Sequence, residues 1–301
     1  MQAFAQPLFL YFCTMQKFFS LVKIAHTVFA LPFSLLGYAF GVQASGEGFN
    51  IKILILVVIC MFLGRNAAMA FNRLVDQKYD LLNPRTQKRE LPAGLLSRKA
   101  VITFILINCI LFILTTYFIN WMCFYLSPIA ILVILGYSYT KRFTSLSHFI
   151  LGLGLSLAPI GAYMAVTEQI SLISFLYATI VLLWVAGFDV IYSLQDIDID
   201  QKEGLYSLPS WLGKKSALKT SLAIHFICAA ILVYTLYYQF FTFDSLGWLH
   251  ITGGAFFIIL LFYQHSLVKH DDLSKLNIAF FTTNGIASIV FCFLVILDLY
   301  V

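Results

Sequence analysis

Charge is what this chain has least of. Of its 301 residues, 11% are Asp, Glu, Lys or Arg, while 61% are hydrophobic. A soluble domain carries about 25% charged and about 45–50% apolar residues. So few charges cannot cover a water-exposed surface, which excludes a soluble enzyme, a disordered chain and a nucleic-acid binder. Alternation of apolar and polar residues is also missing. The apolar stretches are continuous, which excludes a β-barrel. The six cysteines (Cys13, Cys60, Cys109, Cys123, Cys228 and Cys292) form no CxxC pair and sit mostly inside apolar runs. They read as small buried hydrophobes rather than metal ligands or disulfides. There is no P-loop and no HExxH pattern. The first residues carry no basic stretch and no small-residue cleavage site, so no cleavable signal is expected.

What the chain has instead is nine long apolar segments, approximately 24–43, 51–72, 100–118, 121–139, 147–166, 171–192, 216–239, 246–265 and 277–299. Each is long enough to cross about 30 Å of hydrocarbon. With the N-terminus in the cytoplasm, 17 of the 19 Lys and Arg residues fall on the inner side. Lys52 lies outside, and Arg65 lies near the inner end of the second segment. The positive-inside rule therefore orients the chain and supports the count of nine. The expected fold is all-α: a multi-pass membrane protein with nine transmembrane helices in one bundle, a single domain over residues 1–301. Two long inner loops, about 73–99 and 193–215, hold seven of the 14 acidic residues. Chemistry is expected there, at the cytoplasmic side.

These two loops echo each other. NRLVDQKYD is followed by RELPAGL, and QDIDID by YSLPSWL. Asp76 and Asp196 each follow an even-numbered segment, the second and the sixth. Each run of carboxylates precedes a Leu-Pro-x-x-Leu, at Leu91-Pro92 and Leu208-Pro209. The repeat predicts two helical halves, with motifs at 72–80 and 189–200, that share one site.

Asn72, Asp76 and Asp80 are spaced i, i+4, i+8, which puts them on one helix face. Asp196 and Asp200 share a face in the same way. Asp189, seven residues earlier, points with them, and Asp198 points elsewhere. Like charges at i, i+4 destabilise a helix, and acids near the bilayer are costly. Two such clusters call for a compensating cation. Carboxylate oxygens suit Mg²⁺, which takes few protein ligands and completes its shell with substrate phosphates and water. Two acidic helices facing each other imply a diphosphate between them. Lys141 and Arg142, on a third inner loop, fit that ligand.

The ordered set of motifs resembles the UbiA superfamily of intramembrane prenyltransferases. It comprises N-x-x-x-D-x-x-x-D at Asn72–Asp80, D-x-x-x-D at Asp196–Asp200, HTVFALPF at 26–33, NPRTQKRELPAG at 83–94, YSYTKRFTSLSH at 137–148 and FDVIYSLQDIDID at 188–200. The likeness spans nearly the whole chain and is nearest to the 4-hydroxybenzoate polyprenyltransferases and similar enzymes of menaquinone-producing bacteria. It implies Mg²⁺-dependent transfer of a polyprenyl group from its diphosphate to an aromatic carbon ortho to a hydroxyl, in the bacterial inner membrane. It implies metal binding by Asp76, Asp80, Asp196, Asp200 and Asn72, and orientation of the acceptor or proton acceptance by Asp189. Lys141 is then expected on the diphosphate and Arg142 on the acceptor carboxylate, with Arg65, Tyr139 and Tyr192 also binding substrate. The expected partners are a polyprenyl diphosphate, an aromatic carboxylic acid and the lipid bilayer. One departure concerns Arg73, where many benzoate-type members have Asp. It is expected to point off the carboxylate face, and it leaves 4-hydroxybenzoate and a dihydroxynaphthoate both open as acceptors.

A cation-coupled transporter is the competing reading, because intramembrane carboxylates mark ion paths. A transporter would place its acids near mid-membrane on broken helices. His26 reads as packing or interfacial. Gly152, Gly154 and Gly161 read as close helix contacts rather than a nucleotide loop, since no strand precedes them.

Overall fold

The computed structural model describes residues 16–23, 29–243 and 245–301. His26, Cys13 and the beginning of the first apolar segment lie outside the described residues. Among the described residues there are helices and no strands. The apolar helices are α1 Leu31–Ser45, α2 Ile51–Val75, α3 Arg98–Tyr117, α4 Trp121–Thr140, α5 Ser147–Thr167, α6 Leu172–Ser193, α7 Lys214–Thr242, α8 Leu249–Leu267 and α9 Asn284–Tyr300. Eight stretches are long and apolar enough to cross a membrane: α2 to α9, with α9 counted from Ile278. With 15 residues, α1 spans about 22 Å at 1.5 Å per residue.

The connections α1–α2, α3–α4 and α5–α6 are short, and the helices that they join are capped. Gly46 ends α1 with φ 67°, a left-handed conformation natural to glycine. Asn50 then accepts the N–H groups of Lys52 and Ile53 to start α2. Asn120 and Ser171 cap α4 and α6 in the same way. Each cap satisfies donors that would otherwise be orphaned at a helix start.

α6 is the central helix. It packs closely on α5 and α7, and α5 packs in turn on α1. Fully buried Trp184, midway along α6, is ringed by Phe29, Phe33, Phe188 and Phe257. Its indole N–H donates to Asn284 Oδ1 at 2.8 Å. Asn284 opens α9 immediately after a π-helical stretch, Ile278–Thr283, which turns Phe280 onto Tyr192 with ring centroids 4.0 Å apart. A π-turn adds a residue to the helical repeat and so re-aims side chains.

Two glycines permit the closest approaches between helix backbones. A Cβ on Gly37 of α1 would overlap the Pro159 carbonyl of α5, and one on Gly152 would overlap the Leu182 carbonyl of α6. Gly152 thus acts as a contact residue. Gly161 faces open space, and Gly154 meets Ile134 only at ordinary van der Waals distance; both line the central cavity.

Candidate active site

The two acidic motifs fold alike, but neither is one continuous helix. α2 stops at Val75, and Asp76 sits at φ −89°, ψ 5°. A six-residue helix, Gln77–Leu82, follows and carries Asp80. In the second half, α6 ends at Ser193 and a single 3-10 turn leads to Asp196, at φ −106°, ψ 2°. Another six-residue helix, Ile197–Lys202, follows and carries Asp200. Both first aspartates therefore occupy the sparsely allowed bridge region, a common place for active-site residues. The bend re-aims the second aspartate of each pair, so Asp80 and Asp200 are buried while Asp198 stays exposed. The Leu-Pro motifs do not fold alike: Leu208–Leu212 is a short helix, whereas Leu91-Pro92 lies in turns.

Both clusters face one cavity of about 600 Å³. It begins among the acidic residues at one end of the bundle. From there it continues as an apolar groove between α2, α4 and α5, past Met61, Ile134 and Leu157, to Ile119 and Ile170 at the opposite end. The acids are confined to the first end, which is not the mid-membrane placement a transporter requires.

Arginines hold the carboxylates. Arg85 grips Asp196 with Nη2 at 2.8 Å from each oxygen, and Asn83 donates to the same carboxylate at 3.0 Å. Arg85 comes from the loop of the first half and Asp196 from the second, so this pair ties the halves together across the cavity. Arg89 donates to Asp80 at 2.7 Å. Asn72 donates to Asp76 at 3.0 Å, and Arg142 approaches Asp76 at 3.5 Å while donating to the Val75 carbonyl at 2.9 Å. Burial pushes the Asp76 carboxyl up to about 6, with Asp80 adding to the rise and Lys141 and Arg142 opposing it. Burial alone would lower the Lys141 ammonium, but Asp200, Asp189, Asp196 and Asp76 together hold it above its ordinary value.

Of the other expected residues, Asn72, Asp189, Lys141, Arg142, Arg65 and Tyr192 line the cavity. Arg65 also donates to the Lys23 carbonyl at 3.2 Å. Tyr139 does not line it: its ring packs edge-on against Phe71 and lies under Arg142 at 4.9 Å. Tyr137, half a turn earlier, lines the cavity in its place. Arg73 departs from expectation. It is 8% exposed and lines the cavity beside Asn72. The groove follows a stripe of α2 broad enough to include both 72 and 73, so the residue next to the motif asparagine also reaches it.

In the sequence, Arg85, Arg89 and Asn83 stand only within the NPRTQKRELPAG motif directly after the first cluster, with no role attached to any of them.

One observation bears on metal binding. Asp80 Oδ2 and Asp200 Oδ2 are buried and accept no hydrogen bond. Each cluster thus offers one free, desolvated anionic oxygen. Among the described residues no three Asp, Glu, His or Cys side chains converge into a ready-made metal cage. Free carboxylate oxygens with too few neighbours for a full shell fit a Mg²⁺ ion, which completes its octahedron with phosphate oxygens and water.

Comparison with known proteins gives a consistent picture. The UbiA prenyltransferase family matches over residues 30–286. The chain is 29% identical to the 4-hydroxybenzoate octaprenyltransferase of Vibrio atlanticus (strain LGP32) over 236 residues, 78% of this chain and 81% of that protein. It is 25% identical to the enzyme of the same name from Vesicomyosocius okutanii over 249 residues, 82% of this chain and 89% of that one. Among solved structures, a UbiA homolog from Aeropyrum pernix K1 superposes with a TM-score of 0.80 at 31% identity, covering 91% of this chain and 98% of that chain. A UbiA homolog from Archaeoglobus fulgidus, solved bound to GPP and Mg²⁺, shares the fold with a TM-score of 0.74 at 18% identity, covering 95% of this chain and all of that one.

Proposed function

This chain belongs to the UbiA prenyltransferase family, and on that premise we propose that it transfers a polyprenyl group from polyprenyl diphosphate to an aromatic acceptor in quinone biosynthesis. The observation that carries the reading is the pair of bent carboxylate clusters, one free buried oxygen in each, facing one cavity that continues as an apolar groove. Polyprenyl diphosphate has the same division: a multiply charged head and a long apolar tail.

Asp76, Asp80, Asp196 and Asp200 would hold Mg²⁺, with Asn72 orienting Asp76. When bound, the ion neutralises the charge that develops on the diphosphate leaving group. Lys141, Arg85, Arg89 and Arg142 surround the same space and supply fixed positive charge. The allylic C–O bond breaks, diphosphate leaves with the electron pair, and a ring carbon ortho to the acceptor hydroxyl attacks C1 of the prenyl group. The ring proton is then lost, with Asp189 placed to receive it. Water would quench such a cation, so the site must be dry. The apolar groove that continues from the acidic end would limit its access. The acceptor is expected to be 4-hydroxybenzoate, with its carboxylate among Arg142, Arg65 and Arg73. Residues 1–301 act as one domain in the bacterial inner membrane, with the site at the cytoplasmic end where the Lys and Arg residues gather.

The test is to incubate membranes containing the protein with a polyprenyl diphosphate and either 4-hydroxybenzoate or a dihydroxynaphthoate, with Mg²⁺ or with EDTA. A Mg²⁺-dependent prenylated product is expected. Its absence with every phenolic or naphthoic acid would end the proposal, and the double variant Asp76→Ala with Asp196→Ala must be inactive.

A further inference from the structure

Asp189 is held differently from the other cavity carboxylates. Its partner is His148, at the start of α5, with Nδ1 2.7 Å from Asp189 Oδ2. His148 is fully buried. Its second ring nitrogen, Nε2, accepts the backbone N–H of Leu208 at 3.3 Å. A nitrogen that accepts from an amide carries no proton in the neutral ring, so the proton is on Nδ1 and is donated to Asp189. Both ring nitrogens are therefore used, and the imidazole can neither turn nor pass a proton onward. Leu208 is itself fixed, because Ser207 caps the short helix that it begins. Asp189 Oδ1, by contrast, makes no hydrogen bond among the described residues, and Asp189 lines the cavity. Tyr137 of α4 and Lys141, which directly follows that helix, are charged or titratable groups that bear on Asp189.

We infer that His148 is a positioning residue that holds the Asp189 carboxylate with Oδ1 towards the bound acceptor, as the atom that takes the ring proton. This rests on the prenyltransfer reading. The step balances: the C1–O bond breaks and diphosphate leaves with its pair. The C1–C bond then forms, the ring C–H pair restores aromaticity, and the proton passes to Asp189 Oδ1. A misplaced base would make that last step slow, since an error of about 1 Å costs on the order of 100-fold.

Two variants divide the contacts of the ring. The amide nitrogen of His148→Asn falls near the Nδ1 position and can still donate to Asp189. The amide of His148→Gln falls near Nε2, keeping the Leu208 side of the site while releasing Asp189. Each full-length variant is assayed in nanodiscs with polyprenyl diphosphate, Mg²⁺ and 4-hydroxybenzoate or its ring-deuterated form. For His148→Gln we expect kcat to fall about 10- to 100-fold, the KM for the diphosphate to stay unchanged, and a primary isotope effect to appear that the native enzyme lacks. His148→Asn should recover most of kcat and lose the isotope effect. Native kcat in His148→Gln, or an equal loss in both variants without an isotope effect, would overturn the inference. Asp189→Asn separates the levels. If it is inactive while His148→Gln is not, only the role of His148 falls. If it keeps native kcat, the role of Asp189 falls too. A native enzyme that makes no prenylated product refutes the prenyltransfer reading itself.

Discussion

Replacing Arg85 by leucine should tighten divalent-metal binding in the absence of substrate while weakening the binding of polyprenyl diphosphate. Arg85 occupies both oxygens of Asp196, so a cation that seeks Asp196 must displace it. The pair is not fully desolvated, with side-chain exposures of 34% for Arg85 and 14% for Asp196. A fully exposed pair would contribute about 0.2–1 kcal/mol, and hydrogen bonds to charged groups about 1.5–3 kcal/mol. A bidentate contact at intermediate exposure therefore lies near 1–2 kcal/mol. Each 1.4 kcal/mol is about tenfold in affinity, so removing the competitor should tighten metal binding about 5- to 30-fold. Titration of metal-free, detergent-purified protein with Mn²⁺, followed by electron paramagnetic resonance, reads this directly. Arg85→Lys keeps the positive charge but loses the planar fork, and should fall between the two. The diphosphate responds in the opposite direction, because Arg85 lines its end of the cavity. Unchanged or weaker metal binding in Arg85→Leu would refute the view that the arginines are resting counter-ions for the metal site.

Three further outcomes are expected. Asp200→Asn should abolish product formation yet stabilise the ligand-free protein by about 1 kcal/mol, because one buried carboxylate oxygen accepts no hydrogen bond and burial outweighs the nearby Lys141 charge; thermal melting without metal checks it. Metal binding should weaken about tenfold per pH unit below about 6 and level off above it, since protonated Asp76 cannot ligate and burial lifts its pKa to about 6; calorimetric titration across that range reads the slope, which Asp76→Asn should remove. Gly37→Ala should destabilise the bundle by about 1–3 kcal/mol, because its Cβ would press on the Pro159 backbone; a lower melting temperature with unchanged expression of the chain is the readout.

The bundle was legible because lipid demands it. Long continuous apolar runs have few ways to satisfy their backbone in a membrane. The motif aspartates were legible because charge is so scarce here that spacing alone singles them out. The bends were not. A four-residue spacing reads as one helix face, and nothing in NRLVDQKYD announces a break at Asp76. The break follows from competition between helix continuity and the need to turn two repelling carboxylates towards one cavity. Arg73 shows the same limit: periodicity placed it off the carboxylate face, but the cavity is wider than that face.

The partners of the carboxylates were the least legible, and the reason is topological. Arg85 and Asp196 are 111 residues apart. His148 and Asp189 are 41 apart and lie on different helices. No periodicity relates such positions, because they meet only once α5 has packed on α6 and the first loop has crossed to the second half. The sequence repeat nevertheless implies something about those partners. Each half supplies a bent pair of aspartates, but the first half supplies Arg85, which neutralises an aspartate of the second. Neither cluster is therefore electrostatically complete by itself. Splitting the chain between α5 and α6 would separate Asp196 from Arg85, so this pair should add to the association of the two halves beyond what helix packing supplies. Co-expressed halves that reassemble about 5- to 30-fold less tightly when either Arg85 or Asp196 is replaced would bear this out, and reassembly indifferent to both residues would show that helix packing alone joins them.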